Sequence, residues 1–154
     1  MRAVETFVTS ANPQVVWSVL ADVEHWHDWT PTVTEIKALN GTGLTVGAMY
    51  RVVQPKLRPA TYEVTEYVPN RRFTWVQKFA GGAMIADHRV APGDGATKVE
   101  LSFACKGLLA NIVGNLFSRM IREYVATESR SLKERCDLLA SEQPANARSL
   151  SSAD

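Results

Sequence analysis

Residues 97–139 read TKVELSFACKGLLANIVGNLFSRMIREYVATESRSLKERCDLL, and the period of their apolar residues changes once, at Gly107. Before it, Val99, Leu101, Phe103 and Cys105 alternate with Lys98, Glu100 and Ser102, the period of two that a strand shows when one face is buried. After it, no proline interrupts the chain from Leu109 to Leu139, and apolar residues recur at helical spacing. The second half of this helix carries a narrow stripe: Ile121, Val125, Leu132, Cys136 and Leu139. Its first half carries Leu108, Leu109, Ile112, Val113, Leu116, Phe117, Met120 and Ile121 around much of the circumference, so it is expected to be buried on more than one side. A curved sheet gripping the helix meets that demand.

Working back from Thr97, β-rich runs lie near 33–39, 48–54, 60–67, 72–79, 83–91 and 97–105. Turn residues divide them at Asn40-Gly41-Thr42-Gly43, Pro55 to Pro59, Pro69-Asn70, Gly81-Gly82 and Pro92-Gly93-Asp94-Gly95. Connections this short join antiparallel neighbours, since a parallel crossover needs a dozen or more residues. Nearer the start, Val4 to Val8 predicts a first strand. Asn12-Pro13 then predicts a capped helix carrying Val16, Trp17 and Leu20, and Asp22 a further helical turn carrying Trp26 and Trp29 before Pro31. Strand, two short helices, six strands and a long helix make an α+β domain over residues 1–140. The small, polar residues 141–154 are expected to form a disordered tail.

The totals exclude several classes. With 154 residues, 45% hydrophobic and 21% charged, the chain is one domain able to bury a core. A formal net charge of +1 from 17 basic and 16 acidic residues predicts no general attraction to nucleic acid or an acidic membrane surface. No run approaches the ~20 apolar residues of a membrane span, so no stable membrane insertion is expected. No signal-like segment opens the chain, and a cytoplasmic location is the default. Cys105 and Cys136 have no CxxC or His partner at ligand spacing, and three scattered histidines make no zinc site, so no metal and no cofactor are expected.

Strand alternation places side chains. Phe73, Trp75, Gln77 and Phe79 share the bulkier face of their strand, and Tyr62 pairs with Val64 on theirs; Tyr50, Val52 and Gln54 could turn the same way. Such faces suit a planar or elongated apolar ligand held by a few polar contacts. Gln54, Gln77 and His88 are the candidates for those contacts, with the hydroxyls of Tyr62 and Tyr124 behind them. The expected lining also includes Trp26, Trp29, Trp75, Phe103, Leu116 and Met120. The alternative is solid packing, the commoner outcome for Phe103, Leu116 or Trp17. His88 lies beside Asp87, which alternation sends to the opposite face, so it has no orienting carboxylate on its own strand face. No nucleophile motif and no phosphate loop occur.

The run Asn12-Pro13-Gln14-Val15-Val16-Trp17, with Leu20, Asp22-Val23-Glu24, Trp26 and Trp29, resembles the start of the polyketide cyclase/dehydrase branch of the START-like superfamily. Gly47, Gln54-Pro55-Lys56-Leu57, Pro59, Val64-Thr65-Glu66, Pro69 and Phe73-Thr74-Trp75 are similar to the same group, as are His88, Asp94-Gly95-Ala96-Thr97, Val99 and Gly107. The resemblance spans roughly residues 3–139. It implies the helix-grip fold, an internal cavity, and binding of an apolar partner of lipid, quinone or polyketide type by a carrier or sensor, as a monomer or homodimer. The alternative it implies is a polyketide cyclase or dehydrase acting mainly by positioning, with His88, Glu66 and Tyr62 as the residues to suspect.

Overall fold

The computed structural model describes residues 1–149, with side chains to Glu142. Strand β1 (Arg2–Thr9) leads into helix α1 (Pro13–Ala21). The Asn12 side-chain oxygen accepts from the Val15 N–H at 2.9 Å, and Pro13 takes the first helical turn, where a missing N–H costs nothing. Helix α1 buries Val16, Trp17 and Leu20. A 3₁₀ turn, Val23–Asp28, then drives Trp26 inward, and the Trp26 indole N–H donates to the Leu20 carbonyl at 3.1 Å.

The six later strands are β2 (Glu35–Ala38), β3 (Met49–Val53), β4 (Ala60–Val68), β5 (Arg72–Phe79), β6 (Gly82–Pro92) and β7 (Thr97–Lys106). They form one curved sheet in the order β1-β7-β6-β5-β4-β3-β2. Every neighbouring pair is antiparallel, as the short connections require. The meander is simple, and the first strand returns to lie beside the last.

One irregularity matters for the site. Val64 pairs with Trp75 but Glu66 pairs with Thr74, so Thr65 is the extra residue of a β-bulge. By simple alternation Glu66 would share the inner face with Tyr62 and Val64. The bulge reverses the parity, turning Tyr67 toward the Trp17 ring at 6.0 Å and Glu66 to the outer face.

The last helix is broken, against the expectation of one continuous rod. Helix α2 is Leu108–Leu116 and α3 is Ser118–Ser149, with Phe117 at the elbow (φ −101°, ψ 16°). Gly114-Asn115, poor helix formers, lie just before the break. Gly107, at φ 100°, starts α2 directly over the β5–β6 turn; a Cβ there would stand 2.7 Å from the Gly81 oxygen.

Nor is α2 buried on several sides as expected. Its buried residues are Ala110 and Gly114, and a Cβ on Gly114 would meet the Cys105 sulfur at 2.6 Å. The helix approaches the sheet through its smallest residues, leaving Leu108, Leu109, Ile112 and Leu116 turned outward. Helix α3 behaves as its stripe predicts: Leu132 and Cys136 are fully buried, and Asp137 accepts from the Thr9 hydroxyl at 2.6 Å. It continues to Ser149, so residues 141–149 are helical where an unstructured tail was expected, even though Pro144 lies within that stretch and removes a backbone donor. The remainder of that expected tail, 150–154, lies outside the described residues.

Candidate functional site

The concave side of the sheet is filled unevenly. Beneath α1 and the 3₁₀ turn, rings touch rings: Trp26 lies 6.3 Å from Phe73 and 5.5 Å from Trp75, and Tyr62 lies 5.3 Å from Trp75. Toward the α2–α3 elbow the filling stops and two adjoining chambers open. The inner one, about 60 Å³, lies among Trp26, Trp75, His88 and Glu128; it has room for a few waters or one polar group. The outer one, about 260 Å³, is walled by Leu57, Val113, Phe117, Met120 and Ile121, with Gln77, Arg58 and Tyr124 at its margins. Gln54, Tyr62, Phe103, Val125 and Glu128 line both.

His88 sits at the inner end. Its ring stacks on Phe73 with centroids 4.2 Å apart and planes 13° from parallel, while Trp26 and Trp75 present to it at 5.3 and 5.8 Å. The side chain is 4% exposed, and among the described residues its Nδ1 has no hydrogen-bond partner. A buried polar atom left unpaired costs about 1–3 kcal/mol. On the other side of the ring, Nε2 stands 3.7 Å from Oε1 of Glu128, contributed by α3.

Other polar groups converge there. Burial pushes the Tyr62 phenol up, and the nearby Cys105 and Glu128 push the same way, so it stays a neutral donor at physiological pH. The Gln54 amide donates to the Thr32 carbonyl at 3.2 Å, which orients its oxygen. At the rim, the Tyr124 hydroxyl donates to the Pro55 carbonyl, tying α3 to the β3–β4 loop. The chambers therefore form an apolar space ending in a histidine, a carboxylate, a phenol and an amide.

Residues 1–137 match the sequence pattern of the family described as polyketide cyclase/dehydrase and lipid transport. The chain belongs to that family. Solved structures similar to this chain agree on its fold. A hypothetical protein, jhp0584, from Helicobacter pylori superposes with a TM-score of 0.76 at 12% identity, covering 88% of each chain. A START superfamily protein from Mycobacterium smegmatis gives 0.66 at 16% identity over 90% of this chain and 98% of its own. The di-domain ARO/CYC protein BexL of the BE-7585A biosynthetic pathway gives 0.67 at 19% identity, over 87% of this chain and 45% of that one. No curated protein matches the sequence.

Nine of the eleven residues expected from sequence line a chamber in this family member. Trp26, Gln54, Tyr62, Trp75, His88 and Phe103 border the inner one, and Gln77, Met120 and Tyr124 join Gln54, Tyr62 and Phe103 around the outer. Two do not. Trp29 packs behind Trp26, centroids 5.4 Å apart, and faces a surface groove between α1 and α3. Leu116 is 76% exposed, because the elbow turns it away from the sheet. Glu66, suspected for acid–base work, is on the outer face, bonded to Arg72 at 2.7 Å. There Asp87 accepts from Arg72, Thr74 and Arg89, each at 2.7 Å.

The carboxylate that faces His88 was missed. Glu128 occupies the gap between Val125 and Leu132 in the apolar stripe of α3, and a charged residue in a buried stripe is the signal that could have found it. Arg58, Val113 and Phe117 were missed too; they stand on a loop, on α2 and at the elbow respectively.

Proposed function

We propose that this protein binds an elongated apolar molecule with one polar end, as a carrier or sensor, the body in the outer chamber and the polar end at the inner one. The observation that carries this reading is the convergence of His88, Glu128, Tyr62 and Gln54 at the end of an otherwise apolar space. A ligand hydroxyl, enol or phenol is the kind of group that such a polar end can bond. Gln54 and Tyr62 offer an acceptor and a donor to the same group, so the site selects for an oxygen that both gives and takes a hydrogen bond. Lipid alcohols, quinols and polyketide phenols share that chemistry with an apolar body. Membership of a family described by lipid transport supports the reading.

The test is a native mass spectrum of the protein purified from its own host, with thermal shifts against quinols, sterols and aromatic polyketides. A co-purifying ligand, or a raised melting temperature lost in His88→Ala, supports the proposal. Neither a bound mass nor a shift with any class would overturn it.

The second reading is a polyketide cyclase or dehydrase, favoured by the approach of Glu128 to the far nitrogen of His88. His88 and Glu128 together would then accept an α-proton of a folded poly-β-ketone. The chambers would then contribute mainly by holding one chain fold. Product analysis with an unstable poly-β-keto substrate tests it: His88→Ala and Glu128→Gln should both alter the product ratio, and identical mixtures with and without protein would exclude it.

A further inference from the structure

The outward face of α2 is an unusual surface. Leu108 is 82% exposed, Ile112 58% and Leu116 76%, and the neighbouring Leu109 and Phe117 are each about half exposed. Scattered exposed apolar residues are ordinary, but these lie together on one short helix and its elbow, the kind of patch that marks an interaction site. The stretch from Gly107 to Ser118 contains no charged residue. The inversion noted above explains how it arises: Ala110 and Gly114 face the sheet, and the large side chains are left over.

The charge around this patch is one-sided, although the chain as a whole balances at +1. Lys106 stands just before Gly107 at the start of α2, Lys78 lies two strands from it across Ala83, and Arg2 pairs with Ala104 at the same end of β7. Arg119 and Arg122 begin α3, and Arg58 borders the outer chamber opposite Phe117. Two carboxylates sit among them, each beside a cation: Glu63 at 3.7 Å from Lys78, and Glu123 at 3.0 Å from Arg119. An apolar ridge rimmed by cations complements a bilayer carrying anionic headgroups, where the apolar face sinks to the acyl boundary and basic residues stay at the phosphates.

We infer that α2 and the elbow dock on the surface of an anionic bilayer. The choice of a bilayer rests on the proposed function: Val113 and Phe117, from this helix and elbow, also wall the outer chamber. Docking would thus set the chamber against the hydrocarbon, and an apolar molecule could pass between them without crossing water. The contact is peripheral, since no described helix is long and apolar enough to cross a membrane.

Flotation of the ligand-free protein with vesicles tests it, using phosphatidylcholine alone and phosphatidylcholine with an equal part of phosphatidylglycerol. Binding is expected to the mixed vesicles, to weaken as salt rises, and to be poor on phosphatidylcholine. Replacing Leu108 and Leu116 together by Ser should lower the partition coefficient at least about tenfold. Lys106→Gln with Arg122→Gln should lower it by roughly tenfold. All four side chains are exposed, so both variants should melt like the wild type. Wild-type protein that stays off the mixed vesicles, or a leucine variant that floats as well as wild type, would overturn the inference. So would dimerisation that the leucine substitutions abolish in a protein that binds no vesicle; that result gives the face to a second copy. Val125→Phe, which enlarges a side chain lining both chambers, separates docking from ligand binding. It should float like wild type even if the chamber reading fails, and loss of flotation in it alone would mean that lipid is captured through the chamber and that α2 does not dock.

Discussion

The two ends of the concave sheet are built from similar apolar residues and reach opposite results. Under α1 and the 3₁₀ turn, the covering segment presents Trp17, Leu20 and Trp26, and their rings and branches fill the space above Phe73 and Trp75. Under the elbow, the covering helix presents Ala110 and Gly114 and sends its leucines outward. What decides between core and cavity is therefore the size of the residues that the covering helix turns inward, and not the apolarity of the strands beneath.

Substitutions at the two ends should separate accordingly, and the filled end gives the largest effect. Phe73 is fully buried against Trp26, Trp75 and His88, and Phe73→Ala should cost about 3–5 kcal/mol by urea unfolding. Next comes the outer face of the same end, where Asp87 is almost buried. Burial alone would raise its carboxyl, but hydrogen bonds from Arg72, Thr74 and Arg89 outweigh it and hold the group below its ordinary 3.8. Asp87→Asn should cost about 2 kcal/mol at neutral pH. Because the folded value is depressed, that stabilisation is fully present above the unfolded value near 3.8 and disappears as pH falls through the folded one. The wild type should lose stability over that acid window more steeply than Asp87→Asn, and parallel acid curves would contradict the network.

At the hollow end the effects shrink. Met120 already borders empty space, so Met120→Ala should cost less than the ~2–5 kcal/mol of a packed core methionine, by roughly 1 kcal/mol or under, while changing ligand affinity. Smallest of all, Leu116→Ser should leave thermal stability within about 0.5 kcal/mol. A large loss there would show the α2 face to be covered in the folded protein, by a second copy for example, and would remove the contrast between the two ends.

Much of this was legible in the chain. The alternation of Val99 to Cys105, the Asn12-Pro13 start and the turn residues specify strand order and helix positions through local physics, and the fold follows. Inward faces followed from parity until the bulge at Thr65 broke it, and Glu66, suspected for acid–base work, lies beyond that break on the outer face. The break at Phe117 depends on how closely Gly114 lets α2 approach Cys105, a tertiary fact that an apolar pattern does not contain. The same limit hid the partner of His88, since Glu128 reaches it from a distant helix. Net charge was equally blind to position: a total of +1 conceals a basic rim around α2.

The central claim is that the hollow end holds an apolar ligand, and a fluorescence titration with N-phenyl-naphthylamine tests it most directly. This neutral probe brightens in apolar surroundings and carries one N–H donor. The wild type should bind it saturably, in one-to-one stoichiometry, with a blue-shifted emission. Val125→Phe, which enlarges a side chain lining both chambers, should weaken binding while keeping its circular dichroism spectrum. Absence of saturable binding by the wild type, or equal binding by the Val125→Phe variant, would contradict the account.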